Sequence, residues 1–166
     1  MREGIFMLAV TLICVGRLKD AFFDDASAEY IKRLTPFAKV NTVEIKQAPL
    51  SEKPSQTEIA KALETEGAEI TKKIPAGSMV IAMCIEGKQM SSEKFSRIFT
   101  DAALTGRSHI TFIIGGSCGI ADSVKRLADI RMSMSEMTFP HRLARVMLLE
   151  QIYRAFKIAA GEKYHK

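Results

Sequence analysis

The stretch of this sequence best suited to chemistry is ITFIIGGSCG, at residues 110–119. Five apolar or β-branched residues run directly into Gly115 and Gly116, and Gly119 follows three positions later. An uninterrupted run of this kind is typical of a central strand covered on both faces. Without three Cβ atoms at the strand's carboxyl end, a ligand or another stretch of backbone can approach the main chain closely. An ordinary tight turn is the alternative explanation.

The same residues match a second pattern, G-x-S-x-G, which forms the nucleophile elbow of α/β-hydrolases. On that interpretation Ser117 would attack an ester and a histidine would activate it. Only 49 residues follow Ser117, which leaves little chain for an acid and a histidine. Cys118 is a second candidate nucleophile, although a small residue that fills a turn is the simpler explanation. A hydrolase is therefore disfavoured.

Strands and helices alternate around this stretch and must position it. Apolar or β-branched runs predict strands at 5–15, 40–46, 79–85, 110–114 and 130–134. Helices are predicted at 121–127 and at 140–161. Three further helices are predicted where apolar residues share one helical face. These sets are Ala28, Ile31 and Leu34; Ile59, Ala62, Leu63 and Ile70; and Phe95, Ile98, Phe99 and Ala102. This alternation predicts an α/β fold with a mostly parallel sheet and helices on both faces.

Three local signals refine this arrangement. Strand 40–46 alternates polar and apolar residues, which is typical of a sheet edge. Ser55 and Glu58 have the spacing of a capping box, which predicts the start of the second helix. Gly87 and Lys88 are expected to turn the third strand into the next helix.

Length and composition predict one domain, residues 1–166, with 47% hydrophobic and 26% charged residues. The apolar segment 5–15 is too short to span a bilayer and lacks the features of a signal peptide, so no membrane association is expected. The three cysteines, Cys14, Cys84 and Cys118, have no CxxC spacing. They indicate a reducing cytoplasm and no structural metal.

The net charge of +5 belongs to the second half of the chain. Residues 1–83 hold 11 basic and 11 acidic side chains, whereas residues 84–166 hold 13 and 8. A basic bias near the glycine-rich stretch favours an anionic partner such as RNA. A charge that serves solubility alone is the alternative.

The last predicted helix is apolar around most of its circumference, which predicts burial on more than one side. In a chain of this size, a second subunit can bury the part of the helix that the sheet does not contact, so we expect a homodimer. The apolar positions are Leu143, Val146, Met147, Leu148, Leu149, Ile152, Tyr153, Phe156 and Ala159.

The residues FIIGGSCGI, the run RMSMSEMTFPHRLARVMLLEQIYRAFKIAAG and the terminal YHK strongly resemble the ribosomal RNA large subunit methyltransferase H family of the SPOUT class. The resemblance extends across the whole chain. It implies a SPOUT-type α/β domain whose C-terminal segment is threaded into a trefoil knot, and a homodimer. Knots are so rare that no pattern of residues would predict one.

The resemblance further implies methyl transfer from S-adenosylmethionine to N3 of a pseudouridine in 23S ribosomal RNA, within the assembled ribosome. By similarity to the family, the cofactor is expected to contact Met83, Gly115, Met134, Ser135, Glu136, Met137, Thr138 and Phe139. A branched side chain at Gly115 is then expected to remove cofactor binding and spare the fold. For the methionines, plain core packing is the alternative.

The polar residues nearest the family motifs are the candidates for catalysis and RNA binding: His141, Arg142, Arg154, Tyr164 and His165. The two arginines could hold phosphate or a deprotonated base, and the terminal Tyr and His could order the tail over the target nucleotide. Ion pairs along the helix or at an interface are the alternative for the arginines, and local packing or hydrogen bonding in the first turn is the alternative for His141. No general base is identified.

A non-catalytic RNA-binding protein would share the basic half of the chain and the homodimer. Binding of S-adenosylmethionine discriminates between the two functions, because a protein that only binds RNA has no need of a methyl donor.

Overall fold

The computed structural model describes residues 7–164. Along these residues, strands and helices alternate: β1 Leu8–Val15, α1 Ala21–Leu34, β2 Ala38–Ile45, α2 Gln56–Lys73, β3 Met79–Lys88, α3 Ser92–Leu104, β4 His109–Ile114, α4 Asp122–Leu127, β5 Ile130–Met132 and α5 His141–Ala159. The strands form one sheet in the order β2-β1-β4-β3-β5, and every pairing is parallel. The predicted α/β class is confirmed.

The apolar run at residues 110–114 is the centre of this sheet. β4 pairs with β1 on one side and with β3 on the other, and Ile110 to Ile114 are buried throughout. Successive side chains of a strand point to opposite faces. Phe112 therefore packs in the layer that contains α1, α3 and α5, while Ile113 packs in the layer that contains α2 and α4.

Several local predictions are confirmed. β2 lies at the edge of the sheet. The capping box of α2 is complete, since the Glu58 amide donates to Ser55 Oγ at 3.1 Å and the Ser55 amide donates to Glu58 Oε2 at 2.8 Å. The predicted inward face of α3 is also correct, with Phe95, Phe99 and Ala102 buried.

Two predictions near β3 and β5 are wrong. β3 does not stop before Gly87 but continues to Lys88, and β5 ends at Met132 instead of residue 134. Gly87 is present because the backbone of β5 lies against it: a Cβ at this position would be 2.5 Å from the carbonyl carbon of Met132. The Ser133 amide also donates to the Lys88 carbonyl at 3.1 Å, so these two segments are joined beyond the end of β5.

The buried face of α1 was also predicted incorrectly at one position. Ala28 is exposed, whereas Ser27 and Leu34 are buried. The predicted first strand began at residue 5, but residues 5 and 6 lie outside the described part of the chain.

The wide apolar surface of α5 is covered in part by its own chain. The helix packs between α1 and α3, and Leu148, Leu149, Ile152 and Ala155 have no exposed surface. Ala159 is exposed, while Leu143, Val146, Met147, Tyr153 and Phe156 are half-buried. Of the predicted apolar positions, this half-buried set and Ala159 keep surface that a second subunit could contact.

Within residues 7–164 no helix is long and apolar enough to cross a bilayer.

Candidate functional site

A cleft of about 360 Å³ opens at the carboxyl ends of β3 and β4. Its walls are the ends of these strands, the glycine-rich loop after β4, one side of α4 and the connection from β5 to α5. Ligands of parallel α/β sheets usually bind at this end of the strands. The volume is also within the range of small-molecule sites.

The glycine-rich loop folds back on its own backbone. A Cβ at Gly115 would lie 2.3 Å from the Gly119 carbonyl oxygen, and the Gly119 amide donates to the Gly116 carbonyl at 3.1 Å. Gly119 has a φ of 82° with open space around its Cβ position. Of the two explanations for Gly115, close approach of another stretch of backbone is therefore correct. The expectation that a branched side chain would spare the fold is wrong.

The connection from β5 to α5, residues 133–139, is irregular but held by its own hydrogen bonds. Ser133 is buried and its hydroxyl donates to the Ser135 carbonyl at 2.9 Å. The Met137 amide donates to Ser135 Oγ at 3.0 Å. The segment is thus shaped before any ligand binds, and Met137, 72% exposed, lies at its surface.

Seven of the eight predicted cofactor residues line this one cleft: Met83, Gly115, Met134, Ser135, Met137, Thr138 and Phe139. Glu136 is exposed and is not among the lining residues. The contacts of these residues with a cofactor remain predictions.

Several lining residues were not predicted from the sequence, among them Cys84, Glu86, Ile120, Lys125 and Ala144. Glu86 follows the apolar run of β3 directly, so the rule that ligands bind at the carboxyl ends of strands could have identified it. Lys125 could not be found in this way, because its place depends on how α4 packs. The two side chains form an ion pair.

His141 begins α5 and lines the same cleft. Its Nε2 would be 3.5 Å from a Cβ at Gly16, so the loop after β1 also approaches it. Burial lowers the pKa of His141 below its usual value, and the nearby positive charges of Arg142 and Arg145 lower it further. The imidazole is consequently neutral near pH 7, and one ring nitrogen can accept a proton or a hydrogen bond.

The next two arginines of α5 bind carboxylates of their own chain. Arg142 donates to Asp20, the N-cap of α1, at 2.8 Å, so its ion pair joins two elements and does not run along α5. Arg145, which was not predicted, is buried and donates to Glu44 at 3.0 Å and to the Gly16 carbonyl at 3.3 Å. The Nε of Arg142 is buried without a hydrogen-bond partner among residues 7–164.

Arg154 and Tyr164 form a separate cluster, which we call the tail cluster, with Glu150 and Tyr153. Arg154 donates to Glu150 at 2.6 Å and to the Tyr164 carbonyl at 3.2 Å. Its guanidinium lies 4.6 Å from the centre of the Tyr164 ring, which meets Tyr153 edge-on at 5.0 Å. The structure thus brings Arg154 and Tyr164 together.

The tail cluster is distant from the cleft. With a rise of about 1.5 Å per residue, the 13 residues from His141 to Arg154 in α5 correspond to about 20 Å. The predicted catalytic residues are therefore not at one place within a single chain. His165 lies outside the described residues.

The hydrolase interpretation gains no support from the surroundings of Ser117. Its hydroxyl accepts a hydrogen bond from Gln47 at 3.0 Å, and its other contact is Cys118 Sγ at 4.0 Å. Of the described histidines, His109 bonds to Thr11 and His141 lies in the cleft. Between residues 7 and 164, no group of three or more His, Cys, Asp or Glu side chains could hold a metal ion.

A protein-family profile described as "Predicted SPOUT methyltransferase" matches residues 8–165. The chain belongs to the SPOUT methyltransferases. A ribosomal RNA large subunit methyltransferase H from Pelotomaculum thermopropionicum is 45% identical over 159 residues, which cover 96% of this chain and 99% of the relative. A protein of the same name from Lactobacillus acidophilus is 47% identical over 157 residues, covering 95% and 99%. The resemblance found in the sequence is confirmed.

Two solved structures support the fold assignment alone. A probable methyltransferase from Bordetella pertussis superposes with a TM-score of 0.52 at 10% identity and covers 91% of this chain and 97% of its own. A probable methylase family protein from Haemophilus influenzae gives 0.51 at 12% identity, covering 97% and 71%. Members of the SPOUT family use S-adenosylmethionine as the methyl donor.

Proposed function

We propose that this SPOUT methyltransferase transfers a methyl group from S-adenosylmethionine to large-subunit ribosomal RNA, at N3 of a pseudouridine in the assembled ribosome. The supporting observation is the cleft at the ends of β3 and β4, where seven residues expected from the family to contact the cofactor meet. We also propose that residues 1–166 act as one domain in the cytoplasm. The free thiols of Cys14, Cys84 and Cys118 fit such a reducing compartment.

The cleft fits S-adenosylmethionine in shape and chemistry. Its thioether and aliphatic side chains, from Met83, Ile120 and Met134, suit the faces of an adenine. The irregular segment 133–139 lies outside every helix and strand. Those of its peptide N–H and C=O groups that make no local hydrogen bond can pair with the polar edge of the base. When bound, the cofactor supplies an electrophilic methyl group on a sulfonium.

The residues of the protein then have two tasks, which are to hold the target base in line and to accept the proton from its N3. His141 is suited to the second task, because it lines the cleft and its lowered pKa keeps the imidazole neutral. Arg142 is suited to the first task or to binding RNA phosphate. Its side chain is 30% exposed and pairs with Asp20, so RNA would compete with that carboxylate for the guanidinium.

A homodimer is part of this proposal. Because the tail cluster is about 20 Å from His141 along α5, Arg154 and Tyr164 can serve the same reaction only next to the cleft of a second chain. The half-buried side chains Val146 and Met147, which line a second cleft with Tyr30 and Met90, offer an apolar surface for that contact. The partner expected from the family would cover it.

We infer the trefoil knot expected for the family from the course of the chain near Gly87. The end of β3 presses against the backbone of Met132, and Lys88 accepts the amide of Ser133. β5 and the segment after it therefore lie directly against the end of β3. A threaded C-terminal segment requires this kind of close contact with an earlier part of the chain.

One experiment tests the reaction. Ribosomal RNA from cells that lack the protein should be missing one methylpseudouridine in mass spectrometry, and the purified protein with S-adenosylmethionine should restore that mass on isolated ribosomes. An unchanged RNA, or a protein that binds ribosomes but not the cofactor, would instead favour the non-catalytic RNA-binding function.

A further inference from the structure

The lining of the cleft includes one pair of opposite charges beside several apolar side chains. Glu86, at the end of β3, and Lys125, on α4, both line the cleft and are joined by an ion pair. Their neighbours along the wall include Ile85, Ile120 and Met137. The side chain of Lys125 is 18% exposed and that of Glu86 is 55% exposed, so both charges can be reached from the cleft.

A side chain of β5 holds the backbone of this lysine in place. Arg131 Nε donates to the Lys125 carbonyl at 3.1 Å, which ties the end of α4 to β5. The hydrogen bond from Lys125 lowers the pKa of Glu86, so this carboxylate is charged at neutral pH. The cleft therefore presents an anion and a cation side by side.

A ligand group that complements such a pair must itself carry both charges within a few ångströms. A phosphate would be attracted by Lys125 but repelled by Glu86, and a neutral base would gain from neither. An α-amino acid, with its ammonium and its carboxylate on one carbon, satisfies both side chains. Opening an exposed ion pair costs little, so each partner can exchange its neighbour for the ligand.

We propose that Glu86 binds the ammonium and Lys125 the carboxylate of the amino-acid end of the cofactor, a role that rests on the proposed function. The apolar wall would then hold the nucleoside. The pair would also reject nucleotides, because their phosphates would meet the Glu86 carboxylate. The cleft would thus select an adenosine that carries a zwitterion over one that carries phosphate.

Titration calorimetry with three ligands tests this assignment. S-adenosylhomocysteine carries the whole amino acid, decarboxylated S-adenosylmethionine lacks the carboxylate, and 5′-methylthioadenosine lacks the amino acid altogether. Glu86→Gln and Lys125→Met should each weaken S-adenosylhomocysteine binding roughly tenfold and change methylthioadenosine binding less than about twofold. The decarboxylated ligand should respond to Glu86→Gln only.

Asp122→Asn is the matched control, because Asp122 Oδ1 lies 4.0 Å from Lys125 Nζ on a side chain that is 84% exposed and outside the cleft lining. It should leave all three affinities unchanged. Equal losses for S-adenosylhomocysteine and methylthioadenosine would overturn the assignment, since the pair would then only shape the cleft. Unchanged S-adenosylhomocysteine binding with weaker ribosome binding would overturn it too and assign Lys125 to RNA.

The same measurements distinguish a failure of this assignment from a failure of the proposed function. Wild-type protein that binds none of the three ligands would refute the methyltransferase proposal, and the assignment of Glu86 and Lys125 with it. Wild-type binding combined with insensitive variants would refute the assignment alone.

Discussion

Gly115 and Gly119 are four residues apart in one loop. A side chain is unfavourable at both positions, but for different physical reasons. At Gly115 the obstacle is another part of the backbone, 2.3 Å from the position of a Cβ. At Gly119 the space is open and the obstacle is the left-handed backbone conformation, with φ at 82°. The two positions should therefore respond differently to the same substitution.

We expect Gly115→Ala to lower the free energy of unfolding by roughly 3 kcal/mol, because the loop must open to admit the methyl group. Gly119→Ala, the matched control, should cost only about 1 kcal/mol, the usual penalty for alanine in that conformation. Urea denaturation followed by circular dichroism measures both. Equal losses would mean that the close approach of Gly119 to Gly115 is not a constraint on the fold.

His141 gives a prediction for the pH dependence of stability. Its pKa in the folded protein is lowered by burial, so below about pH 6.5 the unfolded chain binds the proton more readily than the folded one. Stability should therefore decrease as the pH falls from 7 towards 5. His141→Gln should flatten this decrease, as measured by urea denaturation across that range.

His109→Gln is the comparison variant, since burial also lowers the pKa of His109 but this residue bonds to Thr11 in the sheet, away from the cleft. Both variants should flatten the stability profile. Only His141→Gln should also reduce methylation, if His141 accepts the proton. Parallel profiles for wild type and His141→Gln would contradict the burial of this imidazole.

At the scale of the elements, periodicity and caps predicted nearly the whole order of strands and helices. The central strand, the edge strand and the cap at Ser55 all depend on local residue types, which a sequence displays directly. Gly87 was misinterpreted because its reason is non-local: the backbone of Met132, 45 positions later, lies against it. A glycine at the end of a strand has the same local appearance whether the chain turns there or meets another segment.

The tail cluster predicts the effect of removing the C-terminal residues. A chain that ends at Lys163 should lose most of its methylation of ribosomes, more than about tenfold, and should keep its affinity for S-adenosylhomocysteine. Stability should fall by only about 0.5–1 kcal/mol, because the lost contact of Tyr164 with Arg154 is a partly exposed cation–π pair. Single-turnover assays at saturating cofactor measure the activity.

Tyr164→Phe in the full-length chain is the control for this truncation. It keeps the ring on Arg154 and removes only the hydroxyl, so it should retain the stability of the wild type. Full activity of the truncated enzyme would mean that the tail has no part in the RNA site. The search for RNA-binding residues would then be limited to the surroundings of His141 and Arg142.

At the scale of the whole molecule, the candidate site was predicted as a set of residues but not as an arrangement. The family motifs identified seven residues of one cleft, because the segments at 115 and 133–139 are continuous in sequence. They also grouped His141 with Arg154, which the length of α5 separates. Lys125 and Arg145 were missed since each depends on packing between elements that are far apart in the chain.

The homodimer of the whole molecule must be tested by substitutions at surface residues. Leu149 is fully buried in its own chain, so a charge there would unfold the protein instead of separating subunits. Met147→Asp changes a half-buried residue of the second cleft. It should convert a wild-type dimer into a folded monomer in sedimentation, because an unpaired charge at an apolar interface is costly.

Leu104→Asp is the control, because Leu104 is 81% exposed at the end of α3 and does not line the second cleft. This variant should remain a dimer. A wild-type protein that sediments as a monomer at micromolar concentration would contradict the homodimer, and a Met147→Asp dimer would exclude this surface of α5 as the interface.

The position of the cleft in the chain has a consequence for protein synthesis. Four of the five described strands precede residue 115, but one wall of the cleft is built from residues 132–144. A nascent chain can therefore assemble most of its sheet before it has anywhere to hold a methyl donor. Translation that stops before residue 132 would release a product that lacks this wall of the cleft and has no complete site for the donor. Donor binding therefore becomes possible only late in elongation, once residues 132–144 have been synthesised.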